Sequence, residues 1–172
     1  MKHEWVRMMW VRDPESVAEH SCNAAQIWYL LAMMEWADAN KVAAMLVRHD
    51  IGETRIGDVH KVGARYRKNK YEVEMQVIKD QLEGIHWWEH IFSLFEEYEH
   101  KTTKEWIIAK DADYLEQAFQ AKVYVEQWYA AAQDRIDNVG NAIQTESAKQ
   151  LWNEMVQTNS YDWWRATGLK KL

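Results

Sequence analysis

The sequence predicts an all-α fold, on three observations. Glycine and proline number only 6 and 1 in 172 residues, so the turn residues that separate short strands are missing. Apolar residues recur at three- and four-residue intervals over long stretches, the period of a helix face. Two Ser/Thr-x-x-Glu patterns, which fit reciprocal N-terminal capping, stand directly before such stretches. With 48% hydrophobic and 28% charged residues, the chain is long enough to bury a core of its own. We read residues 1–172 as one domain, a bundle of about six or seven helices.

The elements follow in order. Ser16-Val17-Ala18-Glu19 is the first capping box, and Val17, Ala24, Ile27 or Trp28, Leu31 and Met34 carry an apolar stripe, predicting a helix from about Val17 to Ala37. Asp38-Ala39-Asn40 interrupts it, and Val42, Met45 and Leu46 resume helical spacing up to His49. Gly52, Gly57 and Gly63 cluster in HDIGETRIGDVHKVGARY, which reads as a loop hung between helices. Tyr71, Met75, Ile78 and Leu82 mark a further helix, as do Trp88, Ile91 or Phe92, Phe95 and Tyr98. Thr102-Thr103-Lys104-Glu105 opens a long segment through Ile107, Ile108, Ala112, Leu115, Phe119 and Val123 toward Ala132. Thr145 and Ser160 are candidate caps for two short C-terminal helices.

Charge and cysteine content bound the function. The formal net charge of −6 disfavours a nucleic-acid groove, since it repels the phosphates such a groove must collect. The single cysteine, Cys22, allows no internal disulfide, and no run of apolar residues is long enough for a membrane span, so a cytoplasmic protein is expected.

Three places break the apolar stripes. His20 lies three after Val17 and four before Ala24, His49 lies three after Leu46 and is followed at once by Asp50, and Asp113 sits one turn after Ala109. Each has an ordinary explanation alone: a core histidine satisfied by hydrogen bonds, or an Asp113–Lys110 pair on one helix face. Together they offer two imidazoles and two carboxylates from three helices, the donor types that suit a divalent cation such as Zn, Mn, Fe or Co. Glu53 follows His49 by four residues, where a continued helical turn sets its carboxylate beside the imidazole and near a metal-bound water. Asp58 follows Gly57, where a tight turn returns it to the same place. A solvated acidic loop paired with Arg48, Arg55 or Lys61 accounts for these two equally well on spacing alone.

The segments PESVAEHS, LVRHDIGETRIGD and IAKDADYLEQAFQA, in this order and at these separations, resemble the signature blocks of the HD-domain metal-dependent phosphohydrolases, in particular their small 5'-deoxynucleotidase-like branch. The resemblance runs from about Arg7 to Ala121 and weakly on through TESAKQLWNEM, leaving residues 122–172 as C-terminal helices. It implies that His20, His49, Asp50 and Asp113 ligate one divalent metal (Co, Mn, Fe, Zn or Mg), that Glu53 handles the attacking water, and that Asp58 completes the site or meets the sugar and leaving group. It also implies phosphate binding by Arg7 and a sugar or base pocket shaped by Trp10, with Trp5 or Arg12 as substitutes, because the segment between Trp10 and Pro14 is short. The substrate implied is a nucleoside 5'-monophosphate, 2'-deoxy by preference. A compact dNTP triphosphohydrolase and a non-catalytic nucleotide- or partner-binding domain are the alternatives. The resemblance implies a homodimer as well. The ten remaining tryptophans are assigned to packing, with Trp88, Trp163 and Trp164 as a contact surface if exposed.

Overall fold

A computed structural model describes residues 1–100 and 102–168, and among these it is all-α, with eleven helices and one 3-10 turn. The helices are α1 (Glu4–Arg7), α2 (Val17–Met34), α3 (Ala39–Leu46), α4 (Glu53–Ile56), α5 (Lys61–Ala64), α6 (Lys70–Leu82), α7 (Trp88–His100), α8 (Lys104–Glu126), α9 (Gln133–Ala142), α10 (Glu146–Gln157) and α11 (Asp162–Ala166). The count exceeds the expected six or seven because α1, α4 and α5 are single turns, too short to show periodicity, and because α9 is a separate helix after the 3-10 turn Ala130–Ala132. No described helix is long and apolar enough to cross a membrane.

Capping decides where the long helices begin. Ser16 accepts from the Glu19 amide while the Glu19 carboxylate accepts from the Ser16 amide, so the first capping box forms as expected. The second is shifted by one residue: Thr103 is the cap and accepts from the Trp106 amide, so no glutamate stands in position to close a box. Thr145 caps α10 by accepting from the Ala148 amide. Ser160 caps nothing, since its amide and hydroxyl both donate to Glu126 and anchor the chain to the end of α8.

The core forms around α8, which packs against α2, α3, α7, α9 and α10. Its alanines Ala109, Ala112, Ala118 and Ala121 are fully buried, and small side chains permit this close approach from several sides. Trp28, Leu31, Leu46, Ile108 and Leu115 fill the interior. Because α8 is enclosed on most of its circumference, its polar residues Asp111, Asp113, Glu116 and Gln117 are internal as well. Asp111 accepts from the amides of Gln144 and Thr145, pinning the α9–α10 connection to the central helix. A second apolar cluster, with Met75, Ile78, Leu82, Phe92 and Phe95, joins α6 to α7. At the other end, the His3 amide donates to the Glu15 carbonyl, and the Val17 amide to that of Met1, which lays the N-terminal residues beside the start of α2.

The tryptophans are not all packing residues. Trp28 is fully buried, but Trp10, Trp36, Trp87 and Trp128 are between 71% and 93% exposed, and all four have positive φ. Trp36 and Trp128 occupy the left-handed position after α2 and α8: Ala37 donates to Ala32 and Tyr129 to Tyr124 across them, the pattern that usually has glycine at that position. A bulky residue is strained there and buries nothing in return. Trp36→Gly and Trp128→Gly should each raise stability by about 1 kcal/mol, read as a higher urea midpoint at unchanged slope; a lower midpoint would refute this account of the two helix ends. Trp163 and Trp164 are exposed on the single turn α11, as a contact surface requires.

Candidate metal centre and its cavity

The four candidate ligands converge although they come from separate parts of the chain. His20 is on α2, His49 and Asp50 lie in the turns that follow α3, and Asp113 is on α8. His20 Nε2 stands 3.2 Å from Asp113 Oδ1 and 3.8 Å from Asp50 Oδ2, and His49 Nε2 stands 3.1 Å from Asp50 Oδ2. Separations of this size are those of donors arranged around one small cation. The adjacent His49 and Asp50 both face the site because the helix has ended: Ile51 donates to Arg48 and Glu53 to Asp50 in successive tight turns.

The far sides of both rings are already committed. His20 Nδ1 is hydrogen-bonded to the buried Glu116 carboxylate, and His49 Nδ1 donates to the Leu46 carbonyl at 2.8 Å. Each bond leaves Nε2 as the nitrogen that faces the cluster, the arrangement typical of metal-bound histidine. Asp113 is oriented too, with Gln117 donating to Oδ1 at 2.6 Å and Lys110 to Oδ2 at 2.5 Å. The expected Lys110 pair therefore exists, and it positions Asp113 rather than replacing its role in the cluster.

The local electrostatics call for positive charge. Burial works against ionising Asp113, yet Lys110 and His20 hold its carboxyl well below the ordinary range. Burial likewise opposes a charged His20, but Asp113 and Glu116 overcome it and push the imidazole up to about 11. His20, His49 and Asp50 could accordingly hold a divalent cation together with Asp113, and that cation would displace the proton from His20.

Glu53 and Asp58 reach the same cavity by different means. Glu53 opens α4 and extends its carboxyl into the cavity, where Oε2 is buried and has no hydrogen-bond partner. Burial, with the charges of Asp50 and Asp58, pushes it up to about 9. None of Arg48, Arg55 and Lys61 pairs with it. Gly57 turns the chain at φ +79°, a conformation suited to glycine, and Asp58 Oδ2 then meets His3 Nδ1 at 3.0 Å and the Glu4 amide at 2.7 Å. Burial raises the Asp58 carboxyl, but His3 and that amide outweigh it and keep the group low.

Arg7 and Trp10 are not in this cavity. They line a separate shallow cleft with Glu4, Met8, Val11 and Arg12, Arg7 is paired with Glu4 at 2.5 Å, and Trp10 is 89% exposed. The single turn α1 accounts for this, because it points Trp5 inward and carries Arg7 and the residues after it away from the site. Trp5, named only as a substitute, lines the cavity of about 280 Å³ with His3, Lys61, Lys110, Tyr98 and Arg135. Sequence reasoning missed His3, Glu116 and Arg135. Glu116 carried a usable signal, one turn after Asp113 on the same face of an apolar helix; His3 and Arg135 carried none, since they are brought in by chain packing.

The chain is similar to known proteins in sequence and in fold. The chain is 32% identical to a Dictyostelium discoideum protein named 5'-deoxynucleotidase HDDC2 over 126 residues, covering 68% of this chain and 66% of that one. It is 26% identical to the Bos taurus protein of the same name, over 84% of this chain and 72% of the relative. Its fold superposes with a TM-score of 0.74 on a conserved hypothetical protein from Pyrococcus furiosus, at 25% identity, covering 91% of this chain and 92% of the other. The family model described as HD domain matches residues 2–156, a span that holds the N-terminal His3 segment, all four candidate ligands and the α8–α10 framework behind them, and the chain therefore belongs to the HD-domain family.

Proposed function

We propose that this protein is a metal-dependent phosphohydrolase that converts nucleoside 5'-monophosphates, 2'-deoxy by preference, to nucleoside and phosphate. The observation that carries the reading is the free, buried Glu53 oxygen in the same cavity as the His20, His49, Asp50 and Asp113 cluster. Without a cation this carboxyl keeps its proton; a divalent ion beside it would favour the ionised form, which could take a proton from water and return it to a leaving oxygen, the service a hydrolase needs. A divalent cation held by the four ligands supplies Lewis acidity toward a phosphate oxygen and toward water. Glu116 and the Leu46 carbonyl hold the two imidazoles in one tautomer, and Lys110 and Gln117 keep Asp113 from rotating. Asp58, fixed by His3 and the Glu4 amide, closes the edge of the cavity beside Glu53.

A cavity of about 280 Å³ is at the small end for a ligand pocket, which favours one phosphoryl group over the three of a dNTP. The relatives named 5'-deoxynucleotidase support the same choice. We further read the protein as a single domain over residues 1–172, a cytoplasmic enzyme and a homodimer; the lone exposed Cys22 is consistent with a reducing compartment. The test is a substrate panel on protein loaded with Mn or Co: dAMP, dCMP, dGMP and dTMP should release phosphate, and ribonucleotides less. Tripolyphosphate from dATP with no phosphate from any monophosphate would overturn the assignment.

A further inference from the structure

The cavity is lined by four lysine and arginine side chains, and two of them are already spent. Lys110 is held by Asp113 at 2.5 Å and Lys70 by Glu74 at 3.2 Å. Lys61 and Arg135 form no ion pair among the described residues. Arg135, in the first turn of α9, holds its guanidinium carbon over the Trp5 ring, 5.2 Å from the centroid, and its Nε is buried without an acceptor. Leaving a buried donor of a charged group unmet is costly, and guanidinium groups in such positions recognise planar or tetrahedral oxyanions.

The two free cations also face the ligand cluster. The charge of Asp113 acts on both, and partial burial, with repulsion from Arg135 and Lys110, holds the Lys61 ammonium below the ordinary lysine range. Three cations that repel one another around a pocket, with two of them lacking carboxylate partners, are stabilised by an anion placed between them. The cation–π contact with Trp5 restrains this group, so fewer rotamers are lost when an anion arrives.

We propose that Arg135 and Lys61, with Arg135 held over the Trp5 ring, form the anion subsite of the cavity and hold the phosphoryl group of the substrate. The proposal rests on the hydrolase reading for the identity of the substrate, but the anion subsite itself does not. It assigns to α9 and α5 the phosphate contact that resemblance had assigned to Arg7. A charge-assisted contact of this kind is worth about ten- to a hundredfold in affinity.

The test is isothermal titration of inorganic phosphate into the Mn-loaded full chain, beside steady-state kinetics on the monophosphate it turns over fastest. Arg135→Met keeps the stem packed on Trp5 and removes the charge; it should weaken phosphate binding and raise KM by about tenfold or more, with kcat changing less. Arg135→Lys should recover part of the loss, and Lys61→Met, at an exposed position that does not bear on folding, should cost a smaller factor in the same two quantities. Phosphate bound equally well by wild type, Arg135→Met and Lys61→Met overturns the subsite, and so does a loss seen in Arg7→Met but absent in Arg135→Met. If the wild type hydrolyses no monophosphate yet Arg135→Met still loses phosphate affinity, the subsite stands and the substrate assignment falls. Should Arg135→Met fail to fold, the Arg135→Lys and Lys61→Met titrations decide the matter.

Discussion

Changing His49 to Ala is expected to remove bound divalent metal almost completely and to lower phosphate release at least about a thousandfold, a barrier increase of about 4 kcal/mol. His49 is the better choice of the two imidazoles for this test. His20 is buried among His3, Glu15, Asp113 and Glu116, and deleting it would leave several ionisable groups without their common partner. His49 gives up its hydrogen bond to the Leu46 carbonyl and its contact with Asp50, and it sits in the turns after α3 rather than inside a long helix. The variant should therefore keep its helical circular dichroism while losing metal by elemental analysis. Metal content equal to that of the wild type would refute the ligand assignment.

The second large effect is at Glu53. Glu53→Gln preserves volume and removes the ability to accept a proton, so kcat should fall by about 10²–10⁴ while metal content stays at the wild-type level. The same change should not destabilise the fold. In the unfolded chain Glu53 loses its proton near 4.5, whereas burial beside Asp50 and Asp58 keeps it in the folded protein up to about 9. Between these values the folded state binds more protons than the unfolded state, so this group makes stability fall as pH rises through that window. The amide carries no such penalty, and in chelator at pH 8 the variant should melt at or above the wild-type temperature. A loss of activity accompanied by a loss of metal or a lower melting temperature would mark Glu53 as a structural or ligating residue. An unchanged kcat would remove it from the chemistry altogether.

Much of this site was legible because its donors interrupt a periodic pattern. His20 and Asp113 stand where an apolar residue belongs on their helices, His49 continues the stripe of α3 into the turns that follow Leu46, where the helix ends earlier than its spacing predicts, and the Asp50 after it adds the fourth group. A helix that places a polar residue on its inner face must satisfy it from another element, so the anomalies point to one another. Glu53 and Asp58 were marked only by the resemblance, since their spacing fitted a solvated loop equally well; the fold buries the Glu53 oxygen, and the turn at Gly57 sets Asp58 against His3. The capping residues Ser16 and Thr145 announced α2 and α10 through local hydrogen bonds that need no tertiary information.

Other features have no local signature. Arg7 and Trp10 are three residues apart and looked like one functional unit, yet the turn α1 sends them away from the cavity and admits Trp5 instead. The exposed Trp36 and Trp128 defeat composition in the same way, since a tryptophan in a left-handed helix end reads no differently from one in a core.

Periodicity, caps and the scarcity of turn residues are properties of neighbouring residues, and they were enough to determine the all-α class, the long helices and the candidate ligands. Which groups share the cavity depends on contacts between distant segments: His3 meets Asp58 across 55 positions and His20 meets Glu116 across 96. Those pairings arise only when α8 is enclosed by its neighbours, and so the second layer around the ligands and the two free cations facing them were decided by packing alone.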